Sequence, residues 1–130
     1  MSDQFASCIK HEVHGSTVVV TILVERIRDQ EKVTQIREAM TEVVGRQVCK
    51  NLIIDMSLVQ FIGSIGFMAF LAMRRVPGIE NIVLCNLDPN VRELFLICRL
   101  IPHNNETSAP FHDATSVASA LEWCRALNRH

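Results

Sequence analysis

The chain has 130 residues, enough for one domain with a core that needs no disulfide or metal to hold it. Its composition is 48% hydrophobic, without Tyr and with one Trp, so the core is aliphatic and the chain globular. Thirteen basic and 14 acidic residues give a net charge of −1, with no basic tract to mark nucleic acid or an anionic membrane as a partner.

Residues 1–7 read as a loose tail with no secretory pattern, which makes the cytoplasm the expected address and residues 1–130 a single domain. Cys8–His14 and Thr17–Val24 are two extended runs separated by His14-Gly15-Ser16, a turn signal, and predict a β-hairpin. The second run is strongly β-branched with few polar alternations, which places it inside a sheet. Asp29–Arg46 is an amphipathic helix with Val33, Ile36, Met40, Val43 and Val44 on one stripe and Asp29 as its N-cap.

Asn51–Met56 is a buried strand ending near Asp55. Ser57–Ile62 connects it to a second helix, Ser64–Arg75, which is apolar almost all round and ends on two arginines. Its longest apolar run, Ile65–Met73, is too short to span a bilayer, so no membrane insertion is expected. Pro77-Gly78 breaks the chain before a strand at Asn81–Cys85. Asp88-Pro89 starts a third helix running to about Leu100, with Val91, Leu94, Phe95 and Cys98 expected inside. After a polar loop, Pro102–Pro110, Phe111-His112 is a short last strand. Asp113–Asn128 is a final helix capped by Asp113, with Val117, Ala120, Leu121 and Cys124 as its stripe. The alternation of strands and helices implies an α/β fold whose parallel strands are joined by crossover helices, made mixed by the opening hairpin.

Candidate chemistry is sparse. The five cysteines, Cys8, Cys49, Cys85, Cys98 and Cys124, are odd in number and widely spaced, and read as buried free thiols. His11 and His14 point to opposite faces of a strand, and His103 and His112 lack a ligand pattern, so no metal site is assigned. Neither nucleotide-binding glycine motif occurs. Ser64 is not in a G-x-S-x-G elbow, and Asp55 is a lone carboxylate. No cofactor is called for, and no catalytic residue is assigned.

Gly63-Ser64-Ile65-Gly66 stands apart from the rest. The Ser64 hydroxyl lies where a cap would accept from the N–H of Phe67, with a glycine on either side leaving it open. First-turn N–H groups and the helix dipole favour negative charge there. A phosphoryl group on Ser64 would add about −1.5 to −2 charges and three acceptor oxygens. On its own, the residue supports either reading, a structural cap or a phosphoryl acceptor.

The run Asp55-Met56-Ser57-Leu58-Val59-Gln60-Phe61-Ile62-Gly63-Ser64-Ile65-Gly66-Phe67 resembles the signature of STAS domains, the bacterial anti-sigma-factor antagonists. The flanking elements fall in the family's order over nearly the whole chain. The resemblance implies a mixed sheet of four to five strands with about four helices packed mainly on one face. It implies a non-enzymatic signalling role in transcription regulation. An anti-sigma factor with serine kinase activity, or another signalling protein, is the partner it implies; the kinase brings ATP and magnesium. It makes Ser64 the phosphorylation candidate and Asp55, Ser57, Gly63, Ser64, Ile65, Gly66 and Phe67 the partner-binding set. Two departures stand out: Gly63 replaces the usual Asp and Ile65 the usual Ser or Thr. They bring forward a second reading, a phosphorylation-independent STAS scaffold or transporter accessory subunit. A homodimer is compatible with either. A small enzyme of flavodoxin-like type, or a receiver domain, is a third reading. The receiver lacks support because the first strands end without an acidic pair and no Lys follows Lys50.

Overall fold

The central strands are buried on both faces, and their alternate residues point to opposite sides of the sheet. The computed structural model describes residues 8–102 and 109–128; the expected tail over residues 1–7 and most of the polar loop lie outside these. Strands β1 (Ile9–His14) and β2 (Thr17–Ile22) form the predicted hairpin, with Gly15 at φ +63° in the turn, where a side chain would be strained. β2 pairs in parallel with β4 (Asn51–Asp55), β4 with β6 (Asn81–Cys85), and β6 with β7 (His112–Ala114). The sheet order is therefore β1-β2-β4-β6-β7, mixed only at the hairpin.

One set of alternate residues, Val18, Val20, Ile22, Leu52, Ile54, Ile82 and Leu84, faces the main core. Against it pack α1 (Gln30–Gly45), α2 (Phe67–Leu71) and α3 (Pro89–Ile97). The other set, Val19, Ile53, Val83 and Cys85, meets Ala120 and Cys124 of α4 (Val117–Asn128), the one helix on that side among the described residues. Among the described residues the main sheet has five strands with four helices mainly on one face, within the expected four to five strands and about four helices. No helix among the described residues is long and apolar enough to cross a membrane.

Local chemistry explains most element ends. Asp29 caps α1, its Oδ1 accepting from the N–H of Lys32 at 2.8 Å, and the expected stripe Val33, Ile36, Met40, Val43 and Val44 is buried. Asp88 caps α3 by accepting from the N–H of Asn90, with Pro89 in the first turn. Four expectations need correction. Asp113 does not cap the last helix: it lies in β7 and pairs with Arg92, 3.0 Å away, while Ser116 accepts from the N–H of Ser119. Leu94 is 37% exposed, because only Val91 and Phe95 of α3 point squarely at the core. Cys98 is exposed at the end of α3, whereas the other four thiols are buried. The second helix is also not one α-helix. A 3-10 turn at Ser64–Gly66 leads into five α-helical residues, and a second 3-10 segment follows at Ala72–Arg75.

A short parallel ribbon, β3 (Arg26–Ile27) with β5 (Phe61–Ile62), lies apart from the main sheet and is invisible to periodicity at two residues per strand. It carries the chain into the Ser64 turn.

Candidate functional site

The Ser64 turn is positioned by backbone and by glycine packing. Glu25 O accepts from the N–H of Gln60 at 2.8 Å, and Ile27 O accepts from the N–H of Gly63 at 2.8 Å, so β3 fixes the approach. Gly63 O then accepts from the N–H of Gly66 at 2.9 Å, closing the turn. Gly66 is buried so tightly that a Cβ there would stand 2.5 Å from Ile62 Cγ2 and 2.9 Å from Ile27 O. Only a residue without a side chain lets these strands and the turn meet. Phe67, 9% exposed, sets its ring edge-on to Phe95 with centroids 4.8 Å apart, which fixes α2 against α3.

Ser64 itself is exposed, and its hydroxyl makes no hydrogen bond to any described residue. The cap position belongs to Gly63, extended at φ −79° and ψ 173°, and the turn has no side-chain cap. The expected bond from Phe67 N–H to Ser64 is therefore absent. The Phe67 N–H instead points back to Ile65 O. With a 3-10 turn and five α-helical residues, the junction also lacks the long aligned backbone on which a helix-dipole argument rests.

The other candidates separate into two groups. Gly66 and Phe67 are buried and support the surface from behind; Gly63 and Ile65 are half-buried beside Ser64. Phe61 and Met68, near Ser64 in the chain, are exposed, Met68 at 62%, and Arg26 lies over the Phe61 ring at 5.1 Å. Asp55 and Ser57 belong to a different arrangement. Asp55 Oδ1 accepts from the N–H of Ser57 and from the Asn86 side-chain amide, each at 3.0 Å. Both residues line an open hollow of about 410 Å³ with Lys10, Thr21 and Leu58, and Ser64 is not among its lining residues. Beside Asp55, burial pushes the Cys85 thiol up to about 12, with the Asp55 charge adding to the effect. That thiol is inert at neutral pH. Sequence reasoning missed Arg26, Arg28 and the ribbon that presents them; the alternation Arg26-Ile27-Arg28 is the only signal that pointed there.

Comparison with known proteins gives one consistent answer. The family model described as STAS domain matches residues 9–114. No curated protein sequence matches significantly. Among solved structures, an anti-sigma factor antagonist from Mycobacterium paratuberculosis superposes with a TM-score of 0.72 at 22% identity, covering 90% of this chain and 92% of that one. The Bacillus cell fate determinant SpoIIAA in its phosphorylated form gives 0.61 at 23% identity, covering 90% and 99%. The murine anion transporter Slc26a9 in its inward-facing state gives 0.71 at 18% identity, covering 88% of this chain but 18% of the transporter. At these identities the likeness is one of fold.

Proposed function

The chain belongs to the STAS domain family, and from that premise we propose that it is an anti-sigma-factor antagonist-like signalling module whose Ser64 junction binds a cytoplasmic anti-sigma factor with serine kinase activity. The observation that carries the reading is the state of Ser64: an exposed hydroxyl, bonded to no described residue, on a turn that backbone and glycine packing hold without its help. A modification there disturbs no internal contact and changes only what a partner meets. Phe61 and Met68 supply the apolar contact area, and Gly63, Ser64 and Ile65 the centre of the face. Gly66 and Phe67 serve it from the core. Asp55 and Ser57 contribute as the staple that fixes the loop entering the junction.

In the phosphorylation step the Ser64 oxygen attacks the γ-phosphorus of ATP held by the kinase. The bond to ADP breaks, and the hydroxyl proton passes to a base on the kinase. The domain acts here as acceptor and binding surface rather than as an enzyme. The test is incubation of the pure protein with the anti-sigma kinase of the same cell, followed by intact-mass and fragment analysis and by binding measurements. One phosphate on Ser64, none on Ser64→Ala, and a complex weakened at least tenfold by Ser64→Asp are expected. Phosphate at another residue, or undiminished binding by Ser64→Asp, overturns the switch. A stable complex indifferent to both substitutions supports the scaffold reading, which the loss of the polar neighbours at Gly63 and Ile65 favours.

A further inference from the structure

The β3–β5 ribbon has a buried side, Ile27 and Ile62, and an outward side. Alternation puts Arg26, Arg28, Phe61 and Gly63 on the outward side. Arg26 is occupied by the Phe61 ring. Arg28 lies directly against Gly63: a Cβ at position 63 would stand 3.3 Å from Arg28 Cβ and 3.4 Å from its Cα. Ser64 follows one Cα step later, about 3.8 Å along the chain.

Arg28 is exposed and has no ion-pair partner among the described residues, where His14–Glu12, Arg46–Glu42 and Arg92–Asp113 are the pairs formed. The charged groups near it in the chain are Glu25, Arg26, Asp29, Glu31 and Lys32. Asp29 is engaged as the cap of α1. The STAS signature carries Asp at position 63, which would set a carboxylate-bearing side chain on the side that faces Arg28. With Gly63 there, Arg28 has no ion pair and Ser64 no side-chain hydrogen bond among the described residues.

We propose that Arg28 is the phosphate ligand of the switch: across the bare backbone of Gly63 its guanidinium holds, in cis, the phosphoryl group carried by Ser64. The inference rests on Ser64 being the phosphoryl acceptor. A guanidinium offers the planar pair of N–H donors that phosphate oxygens accept, and the gap at Gly63 contains no side chain to obstruct the approach. Phosphorylation then removes two things from the partner-facing surface at once, the serine hydroxyl and a free arginine. The departure at position 63 thus becomes the feature that permits the clamp.

The test needs no kinase, so its outcome is separate from that of the acceptor reading. Phosphoserine is incorporated at position 64 during translation, and the second ionisation of its phosphate is followed by phosphorus NMR at low salt. In the otherwise unchanged chain it is expected roughly half a unit below that of the Arg28→Gln variant, the direction an adjacent cation imposes. Arg28→Lys, which keeps the charge and loses the fork, is expected between the two. Arg26→Gln removes an equal charge from the same ribbon and is expected to leave the phosphate unmoved. Circular dichroism checks that each variant is folded. If Arg28→Gln titrates like the unchanged chain, or if Arg26→Gln has the same effect as Arg28→Gln, the clamp is overturned.

Discussion

Two strand-to-helix junctions of this domain are built in opposite ways. After β6, side chains do the holding. Asn86 adopts a left-handed backbone, φ 57°, and donates its amide to Asp55, while Asp88 accepts from the first turn of α3. After β5, backbone and close packing do the holding, and the side chain at the turn is left over. The caps at Asp29 and Ser116 follow the first pattern. A polar side chain committed to its own backbone is unavailable to a partner. Ser64, excused from capping by Gly63 and Gly66, is available. The contrast leaves the Ser64 hydroxyl free at the junction that the family signature marks.

Stability measurements can break this comparison, since each junction should fail where its support lies. The largest effect is expected from Gly66→Ala. The added methyl would meet Ile62 Cγ2 at 2.5 Å and the Ile27 carbonyl oxygen at 2.9 Å, and a backbone oxygen cannot swing aside. A loss of about 2 kcal/mol in urea unfolding is expected, as for overpacked cores. Gly63→Ala, whose Cβ meets Arg28 Cβ at 3.3 Å and Cα at 3.4 Å, is the milder crowding and should lose clearly less than Gly66→Ala. Equal losses from the two would mean that the turn is not held at Gly66.

Next comes the side-chain junction. Asp55→Ala strips an acceptor from both the Ser57 N–H and the Asn86 amide, and a loss of roughly 1.5 kcal/mol is expected. Asp88→Ala removes a single cap and should cost about 1 kcal/mol, read from the same urea midpoints. A neutral Asp55→Ala would show that the staple between the loops after β4 and β6 is not what orders them.

Those elements with a strong local signal were legible in the sequence. The β-branched run of β2, the stripe of α1 and the Asp88-Pro89 start each carry their own cause, and the structure follows them. The ribbon was not legible, because two residues have no period and its pairing joins segments 35 positions apart, Arg26 with Phe61. Ser64 was singled out in part as a cap, and the structure does not bear out that reason. A serine before an apolar helix reads as a cap; which residue caps depends on the backbone angles of Gly63 and on the contact of Gly66 with Ile27, and both are tertiary. Asp113 misled in the same way, since its carboxylate is taken by Arg92 from a distant helix.

The smallest expected effect separates the two readings of Ser64 most cleanly. If the hydroxyl were an N-cap, Ser64→Ala would remove an acceptor from a first-turn N–H and cost about 1 kcal/mol. With the cap position at Gly63 and no side-chain bond at Ser64, the same substitution should shift the urea midpoint by less than about 0.5 kcal/mol at an unchanged slope. Asp88→Ala, measured alongside, calibrates what a real cap is worth in this chain. A clear loss from Ser64→Ala would return the residue to a structural role and weaken the case for a switch. Near-neutrality would mean that the fold keeps at this turn a polar side chain it does not use, which is the condition a reversible modification requires.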